Sequence, residues 1–383
     1  MSSLQKCTCV DTSVCSHNFI TNIKLNQDNS CFGVATKMGF IVYCTHPVAK
    51  RYSTVTSNRI RNIDLHYRTN IIMYIQDPGD RVCIWDQLKC EKVAHLQFES
   101  PVINLVHTKE CIVIVLADII YIYDTVTVTE LAQFPAISPN GCVALHSYTH
   151  SDNMTILLAH SGVTEGEIVI ETINQMSNTN VSIVSGSYLP NANANATSNT
   201  GVETKKITKT SQTFQAHVNA IQMMTFNSDA SILASVSVRG TLIRLWNVTQ
   251  CEKVSEFRRG SDPALVSSLK FNKQGNQLLV TSNKGTIHIF STDAPKTNYL
   301  SWILPTYFSS VWSCRKISIP NMSLHNCIAT FIETPRGTGV IAICYDGYIY
   351  KFTLTVDPVS LIDTCEQEEL SILEDISKLY KLK

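Results

Sequence analysis

The chain has 383 residues, 44% hydrophobic and 16% charged, enough apolar side chain to bury a large core. Lys plus Arg equals Asp plus Glu, 31 each, which excludes a chain-wide field drawing the protein to nucleic acid or membrane; an anionic partner must be held by a local cluster of cations. Fourteen cysteines are scattered without a disulfide framework, so the thiols read as free and the compartment as the reducing cytoplasm.

Residues 1–17 lack the apolar core of a signal peptide and read as a flexible tail. Cys7, Cys9, Cys15 and His17 form C-x-C-x5-C-x-H, not a common zinc spacing, so no metal or other cofactor is expected. From residue 18 to 362 almost every segment reads as a short strand rich in Val, Ile, Thr and aromatics, bounded by Asn, Asp, Gly and Ser. "CIVIVLADIIYIY" (111–123) is too short for a spanning helix and is broken by Asp118; it reads as two buried strands.

Strands with an aromatic at or near the end recur: "VCIWD" (82–86), "IYIYD" (120–124), "LIRLWN" (242–247), "TIHIF" (286–290) and "YIYKF" (348–352). Their spacing suits four-stranded blades of about 40–50 residues. Seven units are expected, at 18–56, 57–98, 99–137, 138–186, 213–256, 257–320 and 321–362. The fold class is therefore all-β, a seven-bladed WD40-like β-propeller, in which radial packing protects the sheet edges. Residues 185–212 are polar and low in complexity and read as a disordered loop between blades. Residues 363–383 read as a charged tail able to form a short helix.

"FNSDASILASVSVRGT" (226–241) superposes on "FNKQGNQLLVTSNKGT" (271–286), so Ser237, Arg239, Gly240 and Thr241 fall on Ser282, Lys284, Gly285 and Thr286. After one extra residue Arg244 falls on His288. Between the copies stands "EFRRG", with Arg258 and Arg259 adjacent. Neighbouring residues of a strand point to opposite faces, so each arginine is expected to serve its own flank. One pocket would gather His217, Ser237, Arg239, Thr241, Arg244 and Arg258; the other Arg259, Ser282, Lys284, Thr286 and His288. Hydroxyl, guanidinium, ammonium and imidazole donors with no carboxylate among them suit a phosphate monoester.

"FRRG" between two S-x-[KR]-G-T hairpins resembles the signature of the PROPPINs, the phosphoinositide-binding propellers of autophagy also called WD-repeat phosphoinositide-interacting (WIPI) proteins. The resemblance continues through "KLNQDNSCFGVATKMGFIVY" (24–43), "RVCIWD" (81–86), "SPNGC" (138–142), "LPTYFSSVWS" (304–313) and "VIAICYDGYIYKF" (340–352). It departs at Arg239, where lysine is usual, and in the 185–212 insertion. It implies binding of phosphatidylinositol 3-phosphate and the 3,5-bisphosphate, on autophagosomal precursor, endosomal or lysosomal membranes, and a large lipid-transfer protein as partner, with Asn26 and Asp28 as contacts. It also implies a membrane-contact loop at 291–306, where Tyr299, Leu300, Trp302, Ile303 and Leu304 are expected to enter lipid, while Phe308 and Trp312 face the core. No G-x-x-x-x-G-K-[ST], G-x-S-x-G or H-E-x-x-H is present, so the expectation is a monomeric, non-enzymatic effector with no nucleic-acid partner. The alternative is a WD-type protein-interaction scaffold without lipid binding.

Overall fold

A computed structural model describes residues 19–136, 140–151, 153–176, 206–292, 311–320, 326–335, 337–356 and 363–381. The alternating runs become seven sheets, antiparallel throughout except where one short strand adds in parallel to the fifth. Blade one holds β1 (Ile20–Leu25), β2 (Cys31–Thr36), β3 (Gly39–Thr45) and β4 (Val48–Val55); blade two β5 (Ile60–Leu65), β6 (Ile71–Gln76), β7 (Arg81–Asp86) and β8 (Glu91–Gln97). Blade three holds β9 (Asn104–His107), β10 (Cys111–Val115), β11 (Ile119–Asp124) and β12 (Glu130–Pro135); blade four β13 (Val143–His150), β14 (Asn153–Ser161), β15 (Glu167–Met176) and β16 (Lys206–Gln215). Blade five holds β17 (Ile221–Phe226), β18 (Ile232–Ser237), β19 (Leu242–Asn247) and β20 (Lys253–Arg258). Blade six is built on β21 (Val266–Phe271), β22 (Gln277–Ser282) and β23 (Thr286–Ser291). Next come β24 (Val311–Trp312) and β25 (Arg315–Ser318), of which β25 completes blade six. Blade seven holds β26 (Cys327–Thr334), β27 (Gly337–Cys344), β28 (Tyr348–Val356) and β29 (Asp363–Ser371), followed by helix α1 (Leu373–Lys381).

The core is distributed rather than central. Each seam between neighbouring blades carries its own apolar cluster, including Phe40 with Ile63 and Tyr74 between blades one and two, and Val236 with Phe257 and Phe290 between five and six. Burying each such side chain contributes about 1.5–3 kcal/mol. β1, β5, β17 and β21 carry irregular register near their starts, and a bulge there re-aims a side chain. Gln222 uses that geometry to donate from Nε2 to the Val266 carbonyl of the next blade at 2.8 Å, and Ser268 Oγ accepts from the Ala329 amide at 2.8 Å. The blades are thus stitched around the channel by side chain-to-backbone bonds as well as by apolar contact.

Three boundaries differ from the sequence reading. Residues 206–212, expected as disordered loop, lie in β16, which pairs along its full length with β15. Its residues are mostly solvent-facing, so it lacks the apolar signature of a strand. Blade seven does not stop at 362: "DTCEQEELS" forms its outer strand on β28. The tail then turns into α1, whose Ile376 and Leu379, with Ile372 just before it, are buried in the seam between blades seven and one. Tyr43 Oη donates to Asp375 Oδ2 at 3.1 Å, and Lys50 Nζ lies 3.3 Å from Asp375 Oδ1. Finally, β24 lies parallel on β20, with Phe257 opposite Val311 and Arg258 opposite Trp312. The N-terminal tail with its cysteines, and residues 293–306 of the membrane-contact loop, lie outside the described residues.

Candidate phosphate-binding edge between blades five and six

The site is organised by β20. Phe257 is fully buried and stacks on Phe290 of blade six, ring centroids 4.9 Å apart at 19°. This fixes the strand's facing. Glu256 pairs with Arg244 and Arg258 with Leu242 across β19–β20, so 256 and 258 share the side that carries Trp246, toward blade four. Phe257 points to blade six, and Arg259 follows it there. The side-chain alternation thus separates the two arginines as the sequence pattern demands.

The connector after β20 lies against both turns. Arg259 donates from its amide to the Thr241 carbonyl at 2.9 Å and from Nε to the Gly240 carbonyl at 2.6 Å; its Nη2 also reaches the Asp262 carbonyl. Ala264 N reaches the Arg239 carbonyl at 3.2 Å, while Leu265 pairs with Asn283 through its own N–H and carbonyl. In both hairpins the glycine N–H closes on the serine carbonyl, Gly240 on Ser237 at 2.8 Å and Gly285 on Ser282 at 3.2 Å. Gly240 has φ +65°, and a Cβ there would sit 1.9 Å from the Ala264 carbonyl oxygen, so this corner admits only glycine.

On the Arg258 flank, Arg239 is exposed, Ser237 and Thr241 are buried, and Arg258 is half-buried. Two members of this set do other work. Arg244 donates from Nε to Glu256 Oε2 at 2.9 Å and from Nη1 to the Ala216 carbonyl at 2.6 Å. The carboxylate absent from the sequence-derived pocket is therefore present, and it offsets one guanidinium. The pair rests on cross-strand register, Arg244 opposite Glu256, beyond a bulge between Leu245 and Trp246. His217 Nε2 bonds Ser235 Oγ at 2.8 Å, and the same oxygen accepts from Trp246 Nε1 at 2.8 Å. Burial, with the Arg244 charge adding, pushes the His217 pKa down to about 4. It is a neutral strut rather than a cation for phosphate.

On the Arg259 flank, Lys284 is exposed, Thr286 half-buried and Ser282 fully buried. His288 bridges two hydroxyls, Thr286 Oγ1 at 3.1 Å and Ser313 Oγ at 3.2 Å. Its pKa also falls to about 4, through burial and then the charges of Arg259 and Lys316. Arg259 is thus near enough to His288 for its charge to count, as its place after Phe257 in the strand alternation leads one to expect. Burial lowers the Arg259 pKa from its ordinary value, while Asp262 opposes the shift; a guanidinium stays charged throughout the physiological range. Ser313 and Lys316, absent from the sequence-derived set, belong to this flank through the return of the chain in β24 and β25.

The opposite rim gives a different result for Asn26 and Asp28. Asn26 is buried and spends its amide on Ser30 Oγ and the Tyr67 carbonyl, and its Oδ1 on the Cys31 N–H. Asn227 repeats the arrangement with Ser231 and Ile232, and Asn272 with Asn276 and Gln277. Asn26 is a turn-former and offers a partner nothing; Asp28 is exposed, with Oδ1 accepting from the Ser30 N–H. Tyr299, Leu300, Trp302, Ile303 and Leu304, like Phe308, lie outside the described residues. Trp312 is placed only through its backbone pairing. Among the described residues no three metal-ligating side chains converge, and no helix is long and apolar enough to cross a membrane.

Comparison with known proteins agrees with this architecture. The PROPPIN family model matches residues 178–301. The chain is 29% identical over 325 residues to SVP1-like protein 2 of Eremothecium gossypii, covering 76% of each chain. It is 30% identical over 279 residues to Autophagy-related protein 18 of Emericella nidulans, covering 73% of this chain and 61% of that one. Among solved structures, Hsv2 of Kluyvelomyces marxianus superposes with a TM-score of 0.67 at 22% identity, covering 93% of this chain and 99% of that one. KlAtg21 in complex with the coiled coil of AgAtg16 superposes at 0.64 and 18%, covering 92% and 99%. The chain belongs to the PROPPIN family, the phosphoinositide-binding β-propellers of autophagy.

Proposed function

We propose that the edge between blades five and six binds two phosphoinositide headgroups, one on each flank, with phosphatidylinositol 3-phosphate and the 3,5-bisphosphate as ligands. Arg258, Arg239, Ser237 and Thr241 form the first site, with His217 and Arg244 acting as its framework. Arg259, Lys284, Ser282 and Thr286 form the second, with His288 holding Thr286. The observation that supports this reading is the register at the end of β20: Arg258 lies opposite Leu242 on the side of Trp246, buried Phe257 turns the other way onto Phe290 of blade six, and Arg259 comes next in that alternation. Charge-assisted hydrogen bonds of this kind contribute roughly 1.5–3 kcal/mol each. Two such sites on one rigid edge give avidity for a surface bearing many headgroups.

In this reading the protein is a monomeric binding protein. It sits peripherally on autophagosomal precursor, endosomal or lysosomal membranes and brings a lipid-transfer protein to them. Residues 299–304 would add apolar contact with the bilayer. Support for a protein partner comes from the similar fold of the KlAtg21 complex with a coiled coil.

Vesicle flotation tests the proposal. Arg258→Ala and Arg259→Ala should each weaken retention on vesicles carrying phosphatidylinositol 3-phosphate, and the double variant should abolish it. A folded double variant that floats like the parent would leave only the protein-scaffold reading. Trp302→Ala with Leu304→Ala should reduce retention on vesicles while leaving soluble headgroup binding intact; equal losses in both assays would place these side chains in the core.

A further inference from the structure

Two pairs of cysteines face each other across neighbouring strands. In blade one Cys31 lies opposite Cys44 on β2 and β3, and in blade seven Cys327 lies opposite Cys344 on β26 and β27. Both are non-hydrogen-bonded positions of the ladder. The Thr45 N–H bonds the Ser30 carbonyl at 3.0 Å, one residue beyond the first pair, and the Tyr345 N–H bonds the Asn326 carbonyl at 3.1 Å, one residue beyond the second. Cys31 turns its own N–H and carbonyl the other way, to Asn26. At such positions the Cα atoms stand about 4.5 Å apart, within the roughly 4.4–6.8 Å that a disulfide spans. Either pair could therefore be joined with little backbone movement.

The pairs differ in access and in charge. Cys327 and Cys344 are both 0% exposed. Cys31 and Cys44 keep 8% and 7%, and Cys31 lines a cavity of about 250 Å3 together with Arg51 and Arg68. Arg51 Nε donates to Cys44 Sγ at 3.0 Å. Its aim comes from an irregularity in β4: Val42 pairs with Tyr52 and Tyr43 with Lys50, so Arg51 is the extra residue of a bulge. The same bulge position holds Val93 in blade two, Leu131 in blade three and Val254 in blade five. Of these four blades, only blade one places a cation there. A guanidinium on sulfur favours the thiolate, which is the reactive form. Burial and then the neighbouring Cys44 push the Cys31 thiol up, with Ser30 and Arg68 opposing. Cys44 is thus the sulfur set to react first, and Cys31 the protonated partner beside it.

We propose that Cys31 and Cys44 form a reversible redox pair, oxidised by hydrogen peroxide to a cross-strand disulfide and restored by a dithiol. The Cys44 thiolate attacks one peroxide oxygen, the O–O bond breaks, and the departing hydroxide takes a proton to become water. Cys31 then displaces the oxygen of the Cys44 sulfenic acid, its own proton leaving with that oxygen as a second water. Two thiols and one peroxide give one disulfide and two waters. A dithiol reverses this by exchange, becoming a disulfide itself. Peptide mapping of the full chain tests the proposal. After brief peroxide treatment and alkylation, trypsin should release peptides 25–37 and 38–50 joined through Cys31 and Cys44, with the Cys327–Cys344 link forming far more slowly. Dithiothreitol should remove the 31–44 link. Arg51→Leu, which installs the aliphatic type found in the other blades, should slow the link about tenfold or more. Absence of the 31–44 link, its formation no faster than the 327–344 link, or an unchanged rate in folded Arg51→Leu overturns the proposal. Should Arg51→Leu fail to fold, Cys31→Ser decides: peroxide must leave a sulfenic acid on Cys44 that a cyclic dione traps, and failure to trap it there overturns the proposal.

Discussion

The two flanks of β20 carry the same turn sequence and nearly the same residue types, yet they are not equal. On the Arg258 side one guanidinium is already tied to Glu256, and the imidazole is locked in a chain with Ser235 and Trp246. On the Arg259 side the guanidinium rests on two backbone carbonyls, and the imidazole holds the Thr286 and Ser313 hydroxyls. The difference teaches that a repeated motif fixes backbone geometry more firmly than charge. The same hairpin can deliver a partly offset cation cluster and one whose main supports are neutral dipoles.

The largest expected effect tests what the flanks share. Both imidazoles have folded pKa values of about 4 against an ordinary 6.5, so the unfolded chain binds protons that the folded one refuses. Their contribution is complete above pH 6.5 and is lost as pH falls toward 4, with an upper limit on the order of 3 kcal/mol for each. Urea midpoints between pH 7 and 4.5 should fall steeply, and His217→Asn and His288→Asn should each flatten the slope. A flattening by only one of them would break the symmetry. Next, Gly240→Ala forces a side chain at φ +65° into the Ala264 carbonyl and should cost about 2–4 kcal/mol, read from thermal or denaturant midpoints.

Ser235→Ala follows. It removes one oxygen that bonds two buried ring nitrogens, so about 1–3 kcal/mol should be lost. Ser313→Ala on the other flank removes the Oγ bonded to His288 and should cost less. Smallest is Glu256→Gln, which frees Arg244 from a partly buried ion pair. Soluble headgroup affinity should rise by at most ~5-fold, and only in a protein that retains Arg258. An equal gain in Arg258→Ala would show that Glu256 does not distinguish the flanks.

Much of this was legible in the chain. Period-two alternation separated Arg258 from Arg259, and the superposed copies located both turns. Inner and middle strands announced themselves because they face apolar seams. Outer strands did not: "KITKTSQTFQ" and "DTCEQEELS" are polar in sequence, and residues 207–215 and 367–371 are largely exposed, so their backbone pairing leaves little trace in composition. The pairing of Arg244 with Glu256 depends on cross-strand register across a bulge between Leu245 and Trp246, which spacing alone does not reveal. Likewise Asn26 looked like a surface contact, although its neighbours at Ser30, Cys31 and Tyr67 consume its amide.

The short parallel contact of β24 with β20 has a mechanical consequence. The stretch 293–310 leaves from β23 and returns to the very strand that presents Arg258. Tension reaching Val311, from a bilayer or an attached protein, would pass to the Phe257 and Arg258 backbone through the β24–β20 pairing. Anchorage and headgroup grip would then share a single load path, and a bound membrane would tug on its own receptor.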